Sequence, residues 1–123
     1  MVNFQYICRI KEGMKVRLIK EQTIEDYITG NARSKPSFNK WLIIIKAAEW
    51  GTTEDITSTF GSADFLGKSS NRIVFDIGGN NYRMICHYFF GKKFVHLYIC
   101  WIGTHTDYDE LCSKKEQYTV NQY

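Results

Sequence analysis

Three side chains in the second half of this 123-residue chain have the chemistry of a reactive site: Arg83, His105 and Tyr108. Histidine suits proton transfer because its unperturbed pKa lies near neutral pH. Arginine suits an oxyanion or a phosphate because its planar fork stays charged and donates two hydrogen bonds. Tyrosine supplies a phenol for hydrogen bonding and a ring for stacking. Arg83 stands at the start of one apolar run, His105 just past the end of the next, and Tyr108 within the segment beyond. In adjacent antiparallel strands the start of one lies beside the end of the next. Arg83 is therefore expected near Trp101 and His105.

Each of the three also has a plainer reading. Arg83 shares parity with Ile85, His87 and Phe89, which read as a buried face, so it is alternatively a structural arginine pairing with Asp76 or with the tail. His105, following Gly103 and Thr104, is alternatively a residue that opens a helix. Tyr108 is alternatively a packing residue, with Asp107 and Asp109 serving the first turn of the same helix, where negative charge is favourable.

The elements that must position these groups follow from periodicity. Met1 to Ile10 alternates apolar and polar residues, Lys11–Glu12–Gly13 is a turn signal, and Met14, Val16 and Leu18 alternate again, which predicts a hairpin. A start at Met14, with an extension before it, is the other reading. Lys20 to Ile28 reads as a helix ending near Gly30. Pro36 sits where a first helical turn tolerates proline, and Phe38, Trp41, Leu42, Ile45 and Ala48 follow a helical stripe as far as Gly51. Thr52 or Thr53 is expected to cap a short helix to Phe60, with Glu54 and Asp55 in its first turn. From Asn71 the period becomes that of strands: 72–77, 82–90 and 94–102, joined by turns at 78–81 and 91–93. A short helix over Tyr108 to Leu111 and a polar tail over 113–123 follow. The expected class is α+β, with the first strand paired into a three-stranded antiparallel meander and helices on one sheet face.

A turn centred on Lys92 pairs Phe90 with Phe94, Tyr88 with His96 and Cys86 with Tyr98. It points His87 and His96 to opposite faces, and no metal site is expected. It places Tyr88, His96 and Tyr98 on the face opposite Val95, Leu97 and Ile99, suited to bases or a partner segment, or else to a second buried layer. The same register puts Arg83 on the helix-covered face. Lys68, Arg72, Lys92 and Lys93 stand at strand ends and turns, where they either are merely solvated or together guide phosphate in a salt-dependent way.

Composition narrows the classes. The chain is 44% hydrophobic and 24% charged, an ordinary globular balance rather than a disordered one. The longest apolar run, Leu97 to Ile102, is far short of a membrane span of ~20 residues. Asn3, Gln5 and Arg9 interrupt the first ten residues, so no signal peptide is expected. Cys8, Cys86, Cys100 and Cys112 lack metal-site spacing and read as reduced thiols in a cytoplasmic protein, a Cys86–Cys100 contact being the exception. A net charge of +3 permits a polyanionic partner without demanding one.

The segment Phe75 to Arg83, with its Gly78–Gly79–Asn80–Asn81–Tyr82 turn, and the segment Ile102 to Asp109 resemble the HigB family of RelE-like bacterial toxins. Trp41, the Ala47–Ala48–Glu49–Trp50 helix end and Phe60 with Ala63 occur in family order, and the resemblance runs from Met14 to Leu111. It implies a RelE-like fold over residues 14–112, flanked by an extension or extra edge strand at 1–13 and the polar tail at 113–123. It further implies a cofactor-free, metal-independent endoribonuclease that cleaves mRNA on the ribosome and is held inactive by a HigA-like helix-turn-helix antitoxin. Operator DNA is reached only through that antitoxin. RNA cleavage by the 2′-hydroxyl needs that oxygen deprotonated, the 5′-oxygen protonated and the phosphate charge stabilised. Arg83 is assigned to the phosphate, His105 to proton transfer and Tyr108 to a base or phosphate contact. Lys68, Arg72, Tyr88, Lys92, Lys93, His96 and Tyr98 are candidate RNA contacts. Two rival readings use the same scaffold: a non-catalytic protein acting only through an antitoxin-like partner, and a single-strand binder using Tyr88, Tyr98 and Phe94.

Overall fold

The computed structural model describes residues 13–123, so the alternating segment Met1 to Ile10 lies outside it. Strand β1 (Met14–Ile19) leads into α1 (Gln22–Gly30), a 3-10 turn (Ala32–Ser34) and α2 (Lys35–Ala47). A two-residue strand β2 (Glu49–Trp50) and α3 (Thr53–Thr59) come next. Then follow β3 (Asp64–Leu66), β4 (Arg72–Ile77), β5 (Tyr82–Phe90), β6 (Phe94–Thr104) and α4 (His105–Ser113). The strands form one sheet in the order β2-β1-β6-β5-β4-β3. The meander is β4-β5-β6, and β1 joins it parallel to β6. The short strands β2 and β3 are additions that periodicity did not reveal. Two or three residues are too few to show alternation.

Helix ends follow the local chemistry. Pro36 lies in the first turn of α2. Asp55 accepts hydrogen bonds from the Gly51 and Thr52 backbone N–H groups at 2.7 and 3.0 Å, closing the start of α3. Those bonds hold its carboxyl below the usual range. Phe38, Trp41, Leu42 and Ile45 of α2 pack on Ile73, Phe75, Ile77, Met84, Cys86, Val95 and Leu97 of the sheet. Phe38, Trp50, Met84 and Leu97 are fully buried, and this face holds the larger of two apolar clusters.

The second cluster lies on the opposite face. Val74, Ile85, Cys100 and Trp101 are covered there by Leu111 and Tyr108 of α4 and by Val120 of the tail. The tail is tied down: Arg72 donates to the Gln117 and Val120 carbonyls at 3.3 and 2.6 Å, and the Gln122 N–H donates to the Cys100 carbonyl at 2.8 Å. Residues 113–123 thus cross the middle of the face left open by α1–α3.

The register of the central hairpin differs from the expected one by a residue. Phe90 pairs with Val95, Phe89 with His96, Tyr88 with Leu97 and His87 with Tyr98. The turn closes with the Gly91 N–H donating to the Phe94 carbonyl at 2.9 Å. A side chain at position 91 would meet that carbonyl at 2.9 Å and the His96 ring at 3.1 Å, so glycine makes the tight closure possible. A one-residue shift moves each side chain to the other face. Tyr88 accordingly lies on the helix-covered side against Phe65 and Phe90, not on the open side. His87 and His96 share the open face instead of opposing one another, with Tyr98 6.2 and 6.3 Å from their respective rings.

A second irregularity corrects the far end. Cys86 pairs with Ile99 but Ile85 pairs with Trp101, leaving Cys100 as the extra residue of a bulge. The bulge keeps Ile102 in the helix-side core and turns Trp101 onto the other face with Tyr108. Arg83 pairs with Asp76 on β4 and Gly103 on β6, and it too lies on this face rather than the helix-covered one. Parity could not decide this, because apolar residues are buried on both sides at this end of the sheet. Cys86, Cys100 and Cys112 are free thiols. Cys86 and Cys100 belong to opposite clusters, and burial pushes both pKa values up.

Candidate active site

At the end of the sheet where β5 begins and β6 finishes, a cleft of about 370 Å³ opens between the Gly61–Asp64 loop, the strands and α4. Arg83, His105 and Tyr108 all line it, together with Asp64, Asp76 and Asp109. The three residue types that the sequence singled out thus meet in one place. The three carboxylates beside them are a feature of the folded chain.

Arg83 is built into the floor, with its side chain 10% exposed. Its Nε meets Asp76 Oδ1 at 3.0 Å, its Nη2 donates to Asn80 Oδ1 at 2.8 Å and its Nη1 donates to the Tyr82 carbonyl at 3.2 Å. The Asp76 pairing is the structural alternative foreseen for this arginine. It does not exhaust the group: a guanidinium carries five N–H donors, so two remain for an anion in the cleft. The fork is preset by Asp76 and Asn80, which removes much of the entropy cost of aiming it.

His105 is the first residue of α4. Thr104 Oγ1 accepts from the Asp107 N–H at 3.1 Å, while Asp107 Oδ2 accepts from the Thr104 N–H at 3.3 Å. This capping box starts the helix three residues before the expected Tyr108 and defines its direction. The His105 N–H also donates to the Asn81 carbonyl at 3.0 Å, tying the helix start to the β4–β5 turn. One helical turn on, Asp109 Oδ2 lies 3.4 Å from His105 Nε2, as i,i+4 spacing allows. The other ring nitrogen, Nδ1, is buried without a protein partner.

Tyr108 packs its ring against Trp101, with centroids 6.0 Å apart. Burial pushes the phenol pKa well above its ordinary value, the Cys112 hydrogen bond and the Asp64 carboxylate add to the rise, and Arg83 opposes it. The phenol is therefore a neutral donor at physiological pH. Gly103, opposite Arg83 in the ladder, is pinned by the same ring: a Cβ there would lie 2.5 Å from the Trp101 indole. The absent side chain leaves room for the Trp101 indole against the Gly103 backbone.

The remaining candidates are not gathered there. Lys92 and Lys93 occupy the turn at the opposite end of β5, about 24 Å away along the strand. Arg72 is committed to the tail carbonyls, and Lys68 lies over the Tyr118 ring at 5.5 Å. His96 and Tyr98 lie on the open face beyond the tail, and Tyr88 is behind the sheet. Among the described residues no group of three or more His, Cys, Asp or Glu side chains could hold a metal ion. No described helix is long and apolar enough to cross a membrane.

A curled α+β sheet, backed by helices on one face and carrying a polar cleft at the other, defines a RelE-like protein. Residues 34–111 match the HigB toxin family, the RelE-like toxic component of a toxin-antitoxin system, and the chain belongs to that family. Over 68 residues it is 32% identical to a protein of Escherichia coli O6:H1 named mRNA interferase HigB. That match covers 55% of this chain and 64% of the length of the relative.

Proposed function

We propose that the protein is the toxin of a type II toxin–antitoxin pair and a metal-independent endoribonuclease that cleaves mRNA on the ribosome, in the cytoplasm, and so inhibits translation. The observation that carries this reading is the convergence of Arg83, His105 and Tyr108 on one cleft. The name of the Escherichia coli relative, mRNA interferase, supports the choice of substrate.

In this reading the two spare N–H groups of Arg83 bind the scissile phosphate, where charge grows as the 2′-oxygen attacks. His105, held by Asp109, is the proton-transfer residue. Tyr108 donates to the phosphate or stacks on a flanking base as a neutral phenol. The 2′-oxygen bonds to phosphorus, the 5′-oxygen departs, and one proton leaves the first oxygen while another reaches the second. The products are a 2′,3′-cyclic phosphate and a 5′-hydroxyl. The partner is a HigA-like helix-turn-helix antitoxin, which alone contacts operator DNA.

Induced expression in bacteria, with mRNA 5′ ends mapped by primer extension, tests the proposal. Growth arrest with new in-frame cuts is expected from the native chain, and both are lost in Arg83→Ala. A soluble, folded native chain that neither arrests growth nor cuts mRNA would move the function to binding alone.

A further inference from the structure

The open sheet face is divided by the tail. On one side is the cleft; on the other, toward the β5–β6 turn, lies a row of aromatic rings that no element among the described residues covers. Phe89 is 56% exposed and Tyr98 43% exposed. His96 stands between them, 6.0 Å from Phe89 and 6.3 Å from Tyr98, and lies within 18° of parallel to the Tyr98 ring. Phe94 continues the row toward β1, where Arg17 lies over its ring at 4.8 Å. These positions face one way because Arg17 and Phe89 both pair with His96 in the ladder.

Basic side chains border the row. Arg17 is exposed within it, Lys92 and Lys93 are exposed in the adjoining turn, and Lys20 borders its other end. Of the carboxylates on this side, Glu49 lies 3.7 Å from Lys15, and Asp26 acts on Tyr123 at the far edge of the adjoining cavity. Between the row and the tail is a cavity of about 350 Å³ lined by His87, Tyr98, Arg72, Asn121 and Tyr123 among others. Rings bordered by cations, with a slot of mixed polar and apolar lining beside them, have the chemistry of a surface that stacks unpaired bases while the cations track phosphates.

We infer that this face is a second RNA-binding surface, a stacking platform for single-stranded RNA that is separate from the cleft. His87 and Tyr98 lie about 14 Å along the sheet from Arg83 and Gly103. One strand can therefore pass from the platform, beside the Arg72-anchored tail, to the cleft. The choice of RNA as ligand rests on the nuclease reading. The platform itself stands on exposed rings and local charge.

The test is fluorescence anisotropy of the full chain with a short single-stranded 2′-O-methyl RNA. That probe has no 2′-hydroxyl nucleophile, so binding is read without cleavage. Phe89→Ala and Tyr98→Ala should each weaken binding by about fivefold or more, and Tyr98→Phe should bind as the native chain does. Raising the salt should weaken the native chain, and Lys92→Ala with Lys93→Ala should flatten that dependence. An unchanged affinity in the Phe89→Ala/Tyr98→Ala double variant, with native circular dichroism and melting, would overturn the platform. So would a double variant that binds RNA normally but no longer co-purifies with its antitoxin, since the face would then be a protein interface. Cleavage lost in Arg83→Ala while the platform variants bind normally would retain the nuclease and reject the platform. RNA binding lost with the rings in a chain that never cuts would do the reverse.

Discussion

The two ends of one sheet face use opposite physics. At the cleft end Arg83 is buried, ion-paired to Asp76 and roofed by α4, with the Trp101 indole close against Gly103. At the turn end Phe89 and Tyr98 are among the exposed large hydrophobic side chains, flanking the His96 ring. A buried cation needs its partners in place, because removing one leaves the other desolvated and uncompensated. An exposed ring needs only a backbone to stand on. The cleft is therefore a site whose chemistry and stability are coupled, whereas the platform can change with little effect on the fold.

The sharpest way to break this contrast is Arg83→Ala. Cleavage should fall by about 10²–10³-fold, as for loss of an oxyanion donor, and the melting temperature should also drop because Asp76 loses its partner. Arg83→Lys should restore much of the stability but little of the activity, since an ammonium lacks the fork. Primer extension and thermal melts on the same preparations check both. Equal loss of activity and stability in Arg83→Lys would mean that the arginine is purely structural.

The two aromatic environments can be compared directly. Phe38→Ala, in the helix-side core, should cost about 3–5 kcal/mol in denaturant unfolding, whereas Phe89→Ala should stay within about 0.5 kcal/mol of the native chain. A comparable cost at Phe89 would show that the ring is packed in solution and the platform closed.

Arg72→Ala tests the divider between the two ends. Losing its bonds to Gln117 and Val120 should cost about 1–3 kcal/mol and speed proteolysis within residues 117–123. An unchanged digestion pattern would mean that apolar contacts around Val120 hold the tail by themselves.

The smallest expected effect is at alkaline pH. The Tyr108 phenol has a raised pKa in the folded chain, so the unfolded chain ionises first, near the ordinary value of about 10. The stability linked to this group is whole below that pH and falls as pH rises from there through the folded value. Melting profiles between pH 9 and pH 11 should therefore drop less steeply in Tyr108→Phe than in the native chain. Cys86, Cys100, Tyr27 and Tyr123, all raised mainly by burial, contribute to the slope that remains.

Much of this molecule is local and so was legible in residue order. Helical spacing named the α2 face, Pro36 marked its first turn, and the Thr52–Asp55 pattern marked the start of α3. Alternation delimited β4, β5 and the start of β6. The site was half legible: Arg83, His105 and Tyr108 are chemically conspicuous, and the antiparallel order brings a strand start beside a strand end. Asp109 was read as a residue of the first helical turn. It holds His105 only because the capping box begins α4 at His105.

The sequence by itself determined the longer elements, their order and three side chains that could meet, because capping, periodicity and turn chemistry act over a few residues. Only the tertiary structure decided which face each strand shows. The Gly91 turn shifts the hairpin by one residue and the Cys100 bulge shifts it again. With a side-chain period of two, each shift reverses what is buried and what is offered. That is why Tyr88 lies behind the sheet, His87 and His96 share its front, and Arg83 looks into a cleft instead of under the helices.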